Sequence, residues 1–289
     1  MRRAVRPLAL LALALSACTP HKPMQQPNAG DAAHLDAMSR EHGHEVPTAN
    51  ASAVEPRVPV TGTEVVYATV GGQQVRGYLA RPTSAAAGAA LPGIVVIHEW
   101  WGLNDNVRMM ARRLAGEGYQ ALAVDLYGGH AAGTPEEARA QMQAVMGNPA
   151  AATDNLRQAA SYLEGHGSTR LGTIGWCFGG GWSLQTALDL GDRADAAVMY
   201  YGRPVTDRAQ LARLHAPLLG LFGGADQGIP ADTVRAMEAG LKALGKPVEI
   251  VIYPGAGHAF ANPSGQSYRA AAAEDSWKRT VDFFAAHLK

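Results

Sequence analysis

Residues 175–179 read Gly-Trp-Cys-Phe-Gly and follow directly on the run Leu-Gly-Thr-Ile at 171–174. A thiol at the centre of Gly-x-Cys-x-Gly suits nucleophilic chemistry. A sharp strand-to-helix turn strains the central residue and leaves no room for side chains two residues to either side, hence Gly175 and Gly179. Such a turn lifts the Cys177 sulfur to the amino end of a helix, where the helix dipole and free N–H groups favour a thiolate. The Phe178 N–H then faces any oxyanion that develops on an attacked carbonyl. The competing reading is a buried structural cysteine at a glycine-rich turn. The strand–turn–helix context favours the nucleophile.

A thiol nucleophile needs a base, and the base needs an orienting acid. In a strand–helix repeat of this kind the chain order is nucleophile, acid, base. His258, in Gly-Ala-Gly-His-Ala-Phe at 255–260, follows the last expected strand and takes the place of the base. Asp226, in Gly-Gly-Ala-Asp at 223–226, follows the expected strand 218–222 and takes the place of the acid. Asp125 also follows a strand, but it precedes Cys177 and so breaks the order. Glu99 follows the apolar run Ile-Val-Val-Ile at 94–97. An acid at the carboxyl end of a central strand sits in the ligand crevice of an open α/β sheet; the alternative is a structural acid paired to an arginine. The Trp100 N–H is a candidate second oxyanion donor.

These residues must be positioned by an alternation of strands and helices. Strands are expected over 64–70 and 73–80 around Gly71-Gly72, and over 91–98, 120–124, 171–176, 196–200, 218–222 and 249–253. Helices are expected over 104–116, 134–146, 153–164, 180–190, 231–244 and 270–288. Pro135 after Thr134 is a helix-start signal, and Gly71-Gly72 a hairpin signal. The pattern predicts an α/β domain over 61–289: a mostly parallel sheet covered by helices on both faces, with an antiparallel hairpin at its start.

The amino terminus reads as an address. Arg2, Arg3 and Arg6 precede the apolar run 8–15, which is shorter than the roughly 20 residues that a bilayer span needs. Leu15-Ser16-Ala17-Cys18 is similar to the lipobox of bacterial lipoproteins, whose cysteine is acylated. The expectation is a signal peptide over 1–17, lipid attachment at Cys18, and a protein anchored at the membrane of the bacterial cell envelope, facing the periplasm or the exterior. Ordinary secretion with an incidental cysteine is the alternative. Residues 18–60, rich in proline and small polar residues, are expected to be a flexible tether. His21, His34, His42 and His44 fall there, but no cysteine or tight His/acid pair fixes a metal geometry.

Composition narrows the function classes. The chain has 289 residues, 47% hydrophobic and 17% charged, with 25 Lys+Arg against 25 Asp+Glu. That excludes wholesale disorder and offers no basic field for nucleic acid. Loss of 1–17 removes three of the 25 cations and no acid, leaving 22 against 25, a net charge of −3. Two cysteines cannot build a disulfide scaffold. With Cys18 acylated, Cys177 is the remaining thiol, which argues against a dithiol redox protein.

The ordered segments His98-Glu99-Trp100-Trp101-Gly102-Leu103-Asn104, Asp125-Leu126-Tyr127, Gly175-Trp176-Cys177-Phe178-Gly179-Gly180, Tyr200-Tyr201-Gly202, Gly223-Gly224-Ala225-Asp226 and Gly257-His258-Ala259-Phe260 resemble the dienelactone hydrolase family of α/β-hydrolases. They run across about residues 65–288. The resemblance implies an α/β-hydrolase fold and a Cys177–His258–Asp226 triad. It also implies that Glu99 holds the resting thiol and swings away when substrate binds, leaving a Cys–His ion pair. One departure stands out. Dienelactone hydrolases proper carry an arginine for the substrate carboxylate shortly after the His-x-Phe segment, where this chain has Asn262. The family's other substrate arginine has a loose candidate in Arg139. An amide does not replace a bidentate guanidinium, so the expected substrate class widens to carboxylic esters and lactones.

The expected enzyme is a carboxylic ester or lactone hydrolase working through a thioester acyl-enzyme, with small-molecule substrates and no metal or organic cofactor. Its pocket wall would include Trp100, Trp101, Tyr127, Tyr200 and Phe260. The alternative is a surface lipoprotein that binds a ligand or partner on a hydrolase shell without catalysis.

Overall fold

The computed structural model describes residues 29–43, 55–86 and 88–289. The leader over 1–17 and Cys18 lie outside the described residues. The elements run α1 (Ala29–His42), β1 (Val60–Val70), β2 (Gln73–Pro82), β3 (Gly93–Ile97), α2 (Asp105–Gly116), β4 (Gln120–Ala123), α3 (Pro135–Gly147), α4 (Pro149–Gly165), β5 (Leu171–Trp176), α5 (Phe178–Leu190), β6 (Ala196–Tyr200), α6 (Arg208–Ala212), β7 (Leu218–Gly223), α7 (Ala231–Ala243), β8 (Val248–Tyr253) and α8 (Ala270–Leu288). Local chemistry explains several starts. The Asn104 side chain accepts from the Val107 N–H to cap α2, and Thr134 accepts from the Glu137 N–H ahead of Pro135 in α3. Among the described residues no helix is long and apolar enough to cross a membrane.

One eight-stranded sheet carries the order β1-β2-β4-β3-β5-β6-β7-β8. β1–β2 and β2–β4 pair antiparallel; the pairs from β4–β3 to β7–β8 are parallel. This is the expected α/β fold, with helices on both faces. Every residue of β3, β5, β6 and β7 is buried. Successive side chains go to opposite faces: Ile94 and Val96 join a core with Leu114 of α2 and Phe284 of α8. Val95 and Ile97 join a second core with Leu156 of α4, Leu184 of α5 and Met237 of α7.

The chain moves from β3 to β4 on one side and to β5 on the other, so the strand order switches beside β3. Ligands of open α/β sheets bind at the carboxyl ends of strands next to such a switch. Register keeps those ends level: Ile97 pairs Gly175, Trp176 pairs Tyr200, Tyr200 pairs Leu221, and Gly223 pairs Tyr253. The loops bearing Glu99, Cys177, Asp226 and His258 therefore open on one rim.

A β-bulge between Val66 and Ala68 of β1 re-aims Tyr67 inward. Its hydroxyl meets Asn155 Oδ1 at 2.5 Å and accepts from the Asp125 N–H at 3.1 Å. The Asp125 carboxylate accepts from the Tyr127 N–H at 2.8 Å and from the Gly129 N–H. Asp125 thus closes its own loop, and the earlier acid in the chain has a structural place.

The expected tether contains a helix. α1 buries Leu35, Met38 and His42, spaced i, i+3 and i+7, in the same core as Trp100 and Cys177 for the first two. Arg139 of α3 holds it: the guanidinium donates to Leu35 O at 3.0 Å and Ser39 Oγ at 2.7 Å, and meets Asp36 Oδ1 at 2.6 Å. Arg139, the loose candidate for a substrate clamp, thus directs three of its five N–H donors at α1.

The turn after β5 depends on two close approaches. A Cβ on Gly179 would lie 2.3 Å from Ile97 O and 2.4 Å from His98 O, both backbone atoms. One on Gly181, two residues along α5, would meet Arg203 at 3.4 Å and beyond, an ordinary contact. Gly179→Ala is expected to cost at least about 3 kcal/mol or to prevent folding. Gly181→Ala is expected to be neutral or to stabilise by up to about 1 kcal/mol through helix propensity. Urea unfolding of the two variants checks the contrast.

Candidate active site

Cys177 links β5 to α5 with φ 56° and ψ −119°, a conformation rare outside glycine. Its N–H donates to Tyr200 O at 3.0 Å, and its carbonyl accepts from the Gly180 N–H at 3.0 Å. A Cβ on Gly175 would sit 2.1 Å from Gly179 O, so the turn closes only around glycine. The sulfur is buried at the amino end of α5. Phe178 is the first residue of that helix, so its N–H has no acceptor within the helix.

His258 follows β8 in a loop where Ala259 has φ 57°. Its Nδ1 lies 2.7 Å from Asp226 Oδ2, and both side chains are essentially inaccessible. The other carboxylate oxygen, Asp226 Oδ1, accepts from the N–H groups of Gly228 and Ile229, each at 2.8 Å. An acceptor-only carboxylate fixes the proton on Nδ1 and leaves Nε2 for the sulfur side. Cys177 Sγ and a His258 ring nitrogen lie within 4.8 Å. The structure thus brings Cys177, His258 and Asp226 together in the expected sequence.

Burial by itself would lower the His258 pKa. The negative charges of Cys177 and Asp226, with hydrogen bonding to both, outweigh it and raise the value to about 9. The stability linked to this imidazolium is fully present below the ordinary value near 6.5 and is lost as pH rises through about 9. Cys177→Ala removes the largest raising charge and is expected to move the His258 midpoint below that of the parent, read from imidazole nitrogen shifts by NMR titration. An unchanged midpoint would separate the sulfur from the imidazole electrostatically.

Glu99 is buried and accepts from Asn262 Nδ2 at 2.7 Å. Asn262 Oδ1 in turn accepts from Asn106 Nδ2 at 3.0 Å and the Ser264 N–H at 2.9 Å. Asn262 therefore orients Glu99 and ties the loop after β8 to α2. The neighbouring His98 is a different kind of group. Its Nε2 accepts from the Leu126 N–H at 3.1 Å, which leaves the proton on Nδ1 facing Glu99 O. Burial lowers its pKa, in keeping with a neutral ring.

The expected pocket wall divides. Trp100 and Trp101 pack edge to face at 5.0 Å. The Tyr127 hydroxyl is buried without a hydrogen-bond partner among the described residues, and burial together with the Cys177 charge pushes its pKa up. Tyr200 is core: its hydroxyl pairs with Thr280 Oγ1 at 2.7 Å under α8. Phe260 is fully buried against Tyr201 and Tyr253. The cavity that reaches Cys177 has a volume of about 570 Å³ and opens elsewhere, past Phe178, Trp182, Gln185 and Arg203.

Two residues of the site escaped the sequence reading. Met38 Sδ lies 3.8 Å from Cys177 Sγ. A Cβ on Gly228, in the acid loop, would be 2.4 Å from the Met38 methyl. The His42 ring packs 5.2 Å from Trp100 and 5.0 Å from His258. The Leu35, Met38, His42 spacing was the available signal, masked by the surrounding proline-rich composition.

A mostly parallel sheet with a strained strand-to-helix turn at Cys177 beside its switch point, followed in order by the Asp226 and His258 loops, has the form of an α/β-hydrolase. The sequence profile described as the dienelactone hydrolase family matches residues 75–288, and the chain belongs to that family. A protein of Methylorubrum extorquens, provisionally named a carboxymethylenebutenolidase, is 37% identical over 225 residues, 73% of this chain and 76% of its own. A crystal structure from Klebsiella pneumoniae, provisionally a dienelactone hydrolase, superposes with a TM-score of 0.71 at 32% identity, covering 79% of this chain and all of the other. A dienelactone hydrolase-like promiscuous phosphotriesterase from metagenomic libraries gives a TM-score of 0.72 at 25% identity, covering 80% of this chain and 99% of its own. The chain is a hydrolase of this family, acting on small molecules.

Proposed function

We propose that the protein hydrolyses carboxylic esters or lactones with Cys177 as nucleophile, His258 as proton carrier and Asp226 as its orienter. The buried 2.7 Å contact between Asp226 and His258, with Cys177 beside the imidazole at a strained turn, carries this reading. The thiolate adds to the carbonyl carbon. The N–H groups of Phe178 and Trp100 receive the oxyanion, each worth roughly 3 kcal/mol by the scale of single-donor deletions. Collapse expels the alkoxide, which takes its proton from the His258 imidazolium. Neutral His258 then removes a proton from water, whose oxygen attacks the thioester and releases the acid and the thiol. Asn262 is a neutral amide bound to Glu99 and offers the substrate no cation, which favours neutral acyl groups. Arg203 and Arg213 line the cavity that reaches Cys177 and are the cations that this reading would use for a charged one.

Hydrolysis of an aryl ester and lactone panel by the full chain, beside Cys177→Ala, tests the proposal. The expected result is a fall in kcat/KM of at least about a thousandfold in the folded variant, in line with loss of a triad member. Equal rates in the two proteins would overturn the mechanism.

We further propose that Cys18 carries the lipid that holds the protein at the cell envelope, supported by Leu15-Ser16-Ala17-Cys18 after the short apolar run. Cys18→Ala is expected to move the protein from the membrane to the soluble envelope fraction. Membrane retention of the variant would reject the anchor.

A further inference from the structure

Four donors meet under α1. One ligand atom from each of His42, Cys177 and His258 lies within 4.8 Å of the other two. The Met38 thioether stands 3.8 Å from the Cys177 sulfur. All four residues are at most 3% exposed. Two sulfur ligands of one tetrahedral ion, each at about 2.3 Å, are themselves about 3.8 Å apart. The sulfur pair already has that spacing, and the His42, Cys177 and His258 ligand atoms lie at most about 1.5 Å beyond the separations of a tetrahedral set.

The donor types select the ion. Thiolate, thioether and two imidazoles form a soft set suited to monovalent copper. Asp226, behind His258 Nδ1, supplies the carboxylate that metal-bound histidines commonly have as an outer partner. We propose that Met38, His42, Cys177 and His258 form a binding site for Cu⁺, and that the ion, by holding the thiolate, blocks its reaction with electrophiles. The thiol and imidazole together lose one proton for each ion bound. Metal retention does not depend on the hydrolase mechanism and is measured without substrate.

The test titrates the reduced full chain with Cu⁺, supplied as its acetonitrile complex, against a chromogenic Cu⁺ chelator. One equivalent should be retained. Met38→Leu keeps the packing volume and His42→Gln keeps a polar side chain. Each should weaken retention by at least the ~10-fold that loss of an outer-shell partner costs, with native circular dichroism. X-ray absorption of the bound copper should show two sulfur neighbours in the parent and one in Met38→Leu. Copper should also block alkylation of Cys177 until the chelator removes it. Equal retention by parent and Cys177→Ala would overturn the site. So would parent-like affinity in both α1 variants, which would place copper on other histidines. Selective retention of Zn²⁺ over Cu⁺ would overturn the assignment of the ion.

Discussion

The rest of the site depends on a steric constraint: the start of α5 must lie against the backbone of β3. Gly179 makes that approach to Ile97 O and His98 O, and Gly175 lets the turn close upon itself. With these contacts in place, Cys177 takes a positive φ, and its sulfur is delivered to the rim. The strain is local and is held by fully buried strands on both sides. The other loops then need only modest precision, because parallel register has already levelled the strand ends. The two Asp226 N–H contacts fix the carboxylate, the carboxylate fixes the imidazole, and the imidazole faces the turn.

Much of this was legible in the residues. Apolar runs located the central strands, since a strand buried on both faces has no polar positions to confuse its period. Glycine spacing located the turn, and chain order ranked Asp226 over Asp125. What could not be read was side-chain allegiance across the fold. Tyr200 and Phe260 looked like pocket aromatics but serve the core under α8 and beside Tyr253, because an aromatic next to a site and one beneath it have the same composition. Arg139 and Asn262 were weighed as substrate contacts. Their actual partners, α1 and Glu99, lie about a hundred or more residues away in the chain, beyond the reach of local patterns. Two helix starts were also missed: α4 begins at Pro149, capped by Asn148, and the short α6 is capped by Asp207.

α1 shows why composition misleads at a chain's periphery. Its sequence has little intrinsic amphipathy beyond Leu35, Met38 and His42, and docking is what fixes a helix this short. Three buried side chains and one guanidinium hold it. They put it directly over the rim that bears Cys177, where a methionine and a histidine become neighbours of the thiol. An element that sequence alone assigns to a spacer thereby determines which side the sulfur can be approached from, and the cavity beside Phe178 and Trp182 is the remaining side.

The bulge in β1 has an effect beyond bracing the Asp125 loop. β1 is an eleven-residue strand at the margin of the sheet, with Val66 at its outer surface. A long, regular margin of that kind is a template on which a strand of another molecule can be added. Turning Tyr67 and Ala68 inward in succession interrupts the regular display of N–H and C=O groups there. The kink that braces the Asp125 loop thus also breaks the regular edge on which a further strand could be added.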